Sequence, residues 1–185
     1  MMYAGIAALV ICVWGVITYN RFVSLGRRAG EAWSGISVQL KRRHDLIPNL
    51  VEIVKSYAAH ESELFSRVAE LRAATAAIGA EAPSRELGRG EGELGSLLGR
   101  LFAVSEAYPE LRASENFIHL HQALFDAEEQ LQMARRYYNG TVRNYMILYE
   151  SFPSMLLPKL FSFESKEYFE LESDTEKLAP SVSLS

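Results

Sequence analysis

Apolar residues crowd the start of the chain with no periodicity, then settle into a helical rhythm that lasts almost to the C-terminus. Residues 1–18 are nearly all apolar, and no charge occurs before Arg21. About twenty helical residues at roughly 1.5 Å each cover a hydrocarbon core of roughly 30 Å. Trp14, Tyr19 and Phe22 gather near the charged end, where rings sit among headgroups and Arg21, Arg27 and Arg28 can snorkel. No Lys or Arg precedes the run, and Val16-Ile17-Thr18-Tyr19 makes a poor cleavage site, so residues 1–20 are expected to remain as a transmembrane anchor in the lipid bilayer. Arg21, Arg27, Arg28, Lys41, Arg42 and Arg43 all follow the run, which predicts an outside N-terminus and a cytoplasmic C-terminal domain. Ala4, Ala8, Cys12 and Gly15 form a stripe of small residues that would let two such helices approach, a route to a homo-oligomer.

Three amphipathic segments follow. The first covers residues 23–78, with Leu50, Tyr57, Leu64, Leu71 and Ile78 at sevens and Leu46, Ile53, His60 and Ala74 on the adjoining seam. No Gly/Pro/Ser-rich linker separates it from the anchor. Pro48 removes a donor and crowds the carbonyl of His44, so a kink is expected there. Asn49 and Glu52 have capping-box spacing, which makes a break and restart the alternative. The second segment, residues 84–107, has Leu87, Leu94, Leu98, Leu101 and Phe102 as its apolar face and is the weakest, because five glycines each cost about 1 kcal/mol relative to Ala. In the third, Phe117, Leu124, Leu131, Tyr138, Tyr145 and Phe152 recur at sevens between an N-cap at Ser114 and a stop at Pro153. Beyond Pro153 a short apolar, proline-broken stretch reads as a fourth helix closing the bundle rather than dipping into the membrane. The chain then turns acidic and Ser-rich from Glu164 onward and is expected to be a frayed tail.

The pattern therefore predicts an all-α protein: one N-terminal transmembrane helix, then an elongated antiparallel bundle of three long helices with a short fourth. The expected domains are an anchor at 1–20, a helical domain at 21–169 and a disordered tail at 170–185.

Composition narrows the function classes. A formal net charge of −4 argues against nucleic acid as a partner. The single cysteine, Cys12, lies in the apolar run and can form no intramolecular disulfide. His119 and His121 are two apart and point to different helix faces, so no shared metal is expected. His60, on a seam, is expected to be a hydrogen-bonded core histidine. The glycine run lacks a preceding strand and a P-loop lysine, and Glu91 and Glu93 would repel a phosphate. Carboxylate pairs such as Glu128-Glu129 lie on a solvated face, and no Ser sits in a nucleophile elbow. Neither an enzyme nor a cofactor is expected. Lys41-Arg42-Arg43 is read as a solvated face paired with acids of a neighbouring helix, with an acidic protein partner as the alternative. Tyr57, Tyr137, Tyr138 and Tyr145 suggest a second function, a sensor binding a small hydrophobic ligand in the bundle core, although tyrosines that merely pack are favoured.

The stretch Ala32-Trp33-Ser34, followed by 38–51 (Val-Gln-Leu-Lys-Arg-Arg-His-Asp-Leu-Ile-Pro-Asn-Leu-Val), closely resembles the LemA family. The likeness continues through Val54-Lys55-Ser56-Tyr57-Ala58, His60-Glu61, Glu106-Ala107-Tyr108-Pro109-Glu110-Leu111, Glu115-Asn116-Phe117, Arg136-Tyr137-Tyr138-Asn139 and Phe152-Pro153. It implies a single-pass protein of the bacterial inner membrane with a cytoplasmic bundle of long helices and no catalytic activity, and leaves the biochemical role open; the first function expected from the helical rod is that of a scaffold or adaptor for a cytoplasmic or membrane protein. The positions it marks as motif residues are Trp33, Gln39, Arg43, Pro48, Asn49, Tyr57, Tyr108, Pro109, Tyr138, Asn139 and Pro153. Where the family pattern has a second Asn late in the third helix, this chain reads Arg143-Asn144-Tyr145-Met146, so no role carries over to that position.

Overall fold

A computed structural model describes residues 1–79, 81 and 83–171. Among these the regular structure is entirely helical: α1 (Met2–Tyr57), α2 (Ser62–Ile78), α3 (Arg85–Ser105), α4 (Pro109–Arg112), α5 (Glu115–Glu150) and α6 (Leu156–Phe161).

The apolar run and the first bundle helix are one element. α1 is 56 residues long and carries Gly26, Gly30 and Pro48 without interruption. Its first part exposes apolar side chains on all sides, including Leu9, Val10, Ile11 and Val16, and it is long and apolar enough to cross a membrane. Pro48 neither ends the helix nor starts another. Its ring faces outward, and the carbonyl of His44, which loses its helical donor to the proline, accepts a hydrogen bond from Arg72 Nε at 2.7 Å.

The expected helix over 23–78 is in fact two. The chain reverses at residues 58–61, and α2 returns along α1, so that Thr75 of α2 stands beside His44 of α1. Leu50 and Leu64 remain buried on either side of the reversal, while Tyr57 is 41% exposed. The seam shifts within α2: Leu64, Phe65, Val68, Leu71 and Thr75 face inward, and Ala74 and Ile78 face out. His60 lies in the reversal and is exposed, not a core residue.

α3 begins where Ser84 Oγ accepts from Leu87 N–H at 3.1 Å, satisfying one orphan donor of the first turn. α5 runs antiparallel to α1, with Tyr145 beside Phe22, Tyr138 beside Trp33 and Glu128 beside Arg43. Its seam holds as expected from Phe117 to Tyr145, but Phe152 lies past its end and is 80% exposed.

The core has two ends. Away from the apolar run, α1, α2, α3 and α5 enclose Leu50, Val54, Leu101 and Leu111, all wholly buried. Each such side chain contributes roughly 1.5–3 kcal/mol. Nearer the apolar run α1 and α5 pack with only the first turn of α3, through Leu87, and leave a gap in the core. The gap is filled by residues 163–171, which lack regular structure yet place Phe169 at 1% exposure against Trp33, Tyr138 and Leu87. The expectation of a frayed tail from Glu164 is thus corrected: through residue 171 the segment is a docked strap, and residues 172–185 lie outside the described residues.

Candidate functional site

Two constellations join elements far apart in sequence. The first is the seat of the strap. Phe163 stacks on Phe22, with ring centroids 4.8 Å apart, and fixes one end of the strap beside α1. The phenol of Tyr145 donates to the carbonyl of Glu164, and that of Tyr138 to the carbonyl of Glu167, each at 2.8 Å. The amide of Asn139 then pairs with both backbone groups of Phe169: Oδ1 accepts from N–H at 2.9 Å and Nδ2 donates to the carbonyl at 3.0 Å. Side chains of α5 replace the ladder partners that a lone extended segment lacks. Phe169 meets Trp33 edge-on at 5.0 Å. Burial, followed by the nearby charge of Glu167, pushes the Tyr138 phenol up to about 12, so it remains a donor at any physiological pH. Tyr145 is raised in the same direction by burial, then by Tyr149 and Glu164.

The second constellation lies where four helices meet. Glu91 of α3 is fully buried and Arg43 of α1 is 2% exposed. Arg43 Nη1 donates to Glu91 Oε2 at 3.3 Å and Nη2 to the Glu91 carbonyl at 3.4 Å. Its Nε faces Glu128 Oε2 of α5 at 3.7 Å, an ionic contact too long for a hydrogen bond. The other Glu91 oxygen is 2.7 Å from His44 Nε2, which must carry the proton because a carboxylate only accepts. Thr75 Oγ1 of α2 stands 3.3 Å from the same nitrogen. This cluster ties α1 to α3 by buried charge-assisted contacts, and reaches α2 through Thr75 and α5 through Glu128, which is 40% exposed.

Three of the five glycines of α3 follow from this packing. A Cβ at Gly95 would stand 3.0 Å from Arg43 Nη2, one at Gly90 2.6 Å from Thr75 Cγ2, and one at Gly88 would collide with the Glu170 carbonyl of the strap. The residues that weaken α3 as an isolated helix let its neighbours close upon it.

Of the motif positions, the strap site gathers Trp33, Tyr138 and Asn139, and the ion cluster takes Arg43. Gln39 is on the same helix, with Oε1 buried and no hydrogen-bond partner among the described residues. Tyr108 packs against the distal core and Pro109 opens α4. Pro48, Asn49, Tyr57 and Pro153 are exposed and join neither site. The Lys41-Arg42-Arg43 run divides: Arg43 does pair with acids of neighbouring helices, but in the interior, while Lys41 and Arg42 are exposed. His119 and His121 also part company, the first 3.6 Å from Glu115 and the second against Phe102, ring centroids 4.5 Å apart. The four tyrosines of the ligand reading do not converge: Tyr57 and Tyr137 are exposed, whereas Tyr138 and Tyr145 hold the strap.

Sequence reasoning missed His44, Glu91, Arg72, Thr75, Gly88 and Phe169. One signal was present for Glu91, which lies four residues after Leu87 and three before Leu94, on the apolar face of its helix.

An exposed apolar helix that continues unbroken into a helical bundle, closed by a strap and locked by a buried ion cluster, defines a class of elongated helical proteins built on a terminal hydrophobic rod. A match to the LemA family covers residues 32–184, and the chain belongs to that family. It is also similar to the magnetosome protein MamQ of Magnetospirillum gryphiswaldense, at 26% identity over 98% of this chain and 76% of the relative. Magnetosome protein MamQ 2 of Paramagnetospirillum magneticum matches at 26% identity over 95% of this chain and 77% of its own length.

Proposed function

We propose that this protein is a membrane-anchored scaffold or adaptor without catalytic activity, held by residues 1–20 in the bacterial inner membrane with its helical domain in the cytoplasm. The observation that carries this reading is the state of the first third of α1. Side chains such as Ile6, Leu9, Val10, Ile11 and Val13 are more than half exposed, an arrangement water disfavours and a hydrocarbon core accepts. Arg21, Arg27 and Arg28 follow at the end of this run and favour the cytoplasmic side for what comes after. The similarity to magnetosome proteins fits a chain that works at a membrane.

Partner binding falls to surfaces the fold leaves open. Trp33 is covered by the strap and is not available to a partner. The outward face of α1 around Val38, Lys41, Arg42, Asp45 and Asn49 remains exposed and offers both charges and an apolar contact to a protein partner. Crosslinking in native membranes followed by mass spectrometry should return the same neighbours from independent preparations, with linkages on this face. Recovery of nonspecific background alone would count against scaffolding. Protease added to intact spheroplasts should leave the helical domain whole, and digestion from outside would reverse the assigned orientation.

A further inference from the structure

The end of the bundle beside the apolar run carries large apolar side chains that the protein does not cover. Phe152 is 80% exposed, Leu160 75%, Phe161 56% and Leu156 49%, while only Leu157 and Pro158 of α6 are buried. Position identifies what surrounds them. α6 lies along α1, its Phe161 ring meeting Tyr19 with centroids 5.0 Å apart. Together Leu156, Leu160 and the α1 residues Ile11, Cys12 and Gly15 line an open groove of about 570 Å³ with almost wholly apolar walls. Ile11 and Tyr19 are about 12 Å apart along the helix axis. The medium that bathes this part of α1 therefore bathes α6 as well.

Part of the backbone between α5 and α6 is paired internally, as favoured in a place without water, where each unmet polar group is costly. Ser151 N–H donates to Ile147, Met155 to Ser151, Leu156 to Pro153 and Leu157 to Ser154, all at 2.8–3.2 Å. Ser154 Oγ donates to the carbonyls of Leu148 and Ser151 at 2.7 and 2.8 Å. Pro153 and Pro158 have no N–H to satisfy. The one cation of α6, Lys159, is exposed and long enough to snorkel toward headgroups.

We infer that α6 and the turn before it form a wedge inserted in the lipid leaflet nearest the helical domain, with acyl chains filling the groove between α6 and α1. The inference rests on residues 1–20 being the membrane anchor. It replaces the expectation that this segment is only a cap on the bundle.

The test uses the full chain with Cys12→Ala, reconstituted in vesicles of phosphatidylethanolamine and phosphatidylglycerol that carry nitroxides on their acyl chains. An environment-sensitive fluorophore is attached in turn at Leu160→Cys, Phe161→Cys, Val10→Cys in the anchor, and Arg42→Cys in the helical domain, with circular dichroism confirming helix content. Labels at 160 and 161 should be quenched as strongly as that at 10 and several-fold more than that at 42. Quenching at 160 and 161 no greater than at 42, with position 10 still quenched, removes the wedge and leaves the anchor standing. Loss of quenching at position 10 as well sinks both. Protection from lipid together with an intermolecular disulfide at position 160 in the unlabelled variant would name a second copy of the chain as the occupant and overturn the inference.

Discussion

Asn139 grips both backbone polar groups of Phe169 with one side-chain amide, N–H to Oδ1 and carbonyl to Nδ2. This two-point contact explains how an acidic segment with no regular structure stays docked on the bundle. The amide supplies an acceptor and a donor in that spacing, whereas an ionised carboxylate of the same shape can only accept. In Asn139→Asp the donor is lost and an anionic oxygen faces the Phe169 carbonyl. Exchange of the Lys166 and Phe169 amides, followed by hydrogen–deuterium exchange, should accelerate strongly while protection in α5 is retained. Leaving one buried group unmet costs about 1–3 kcal/mol. Unchanged protection at Phe169 would show that the amide does not hold the strap.

Gly88→Ala sets two effects of opposite sign against each other. In an isolated helix the change would stabilise α3 by about 1 kcal/mol. Here the new methyl group meets the Glu170 carbonyl, and that is backbone. The strap should lift, seen as faster exchange at Phe169, with helix content unchanged. A melting temperature that rises with the strap still protected would contradict the close approach.

Glu91→Ala leaves Arg43 buried without its main counter-charge and takes the acceptor from His44. Breaking a buried pair on one side costs about 3–5 kcal/mol, whereas replacing both partners by apolar groups is far milder. Thermal unfolding in detergent micelles should therefore show a large drop for Glu91→Ala. Most of it should return in Arg43→Met combined with Glu91→Leu. Equal losses in the two variants would argue that hydrogen bonds to His44, not charge, dominate the cluster.

The Tyr138 phenol gives the protein an alkaline limit. Its ordinary value of 10.0 is raised to about 12 in the folded state, so below pH 10 both folded and unfolded chains hold the proton and stability does not depend on it. From pH 10 toward 12 the unfolded chain releases the proton while the folded one keeps it, and stability falls as pH rises. Tyr145, raised in the same direction, adds to the loss. Tyr138→Phe should flatten the decline in denaturation midpoint across this window without abolishing it. A decline as steep as that of the parent chain would assign the effect to other groups.

Much of the fold was legible because helices write themselves into sequence with a fixed period. The seam of α5 could be read from Phe117 to Tyr145, and the absence of a linker after Arg21 announced the continuity of α1. What misled was local chemistry overruled from a distance. The break and restart that Asn49 and Glu52 offered at Pro48 does not occur, since α1 runs through and Arg72 meets the carbonyl the proline frees; Ala58-Ala59-His60-Glu61 carries no glycine or proline, yet the chain reverses there. The sevens spacing passes through that reversal, because Leu50 and Leu64 face the same core from two antiparallel helices. The strap escaped notice because its partners are side chains of α5 some thirty residues back, and acidic composition near a terminus resembles a solvated tail. For the ion cluster, Arg43 was recognised and its partner Glu91 was not: a separation of 48 residues leaves no periodic trace.

With residues 1–20 in the bilayer, as proposed above, the uninterrupted α1 would act as a lever. At 56 residues it is about 84 Å long, and the portion beyond residue 20 is bound to the domain along its length. No break in the helix separates residues 1–20 from the bundle. A tilt of the anchor by about 10° would carry Tyr57 sideways by roughly 9 Å, and any rotation of the buried end would turn the exposed face of α1 by the same angle. Under that proposal, a partner bound at Val38 to Asn49 would be held at a set height and azimuth above the lipid, and would register bilayer thickness or shape through the angle of that one helix.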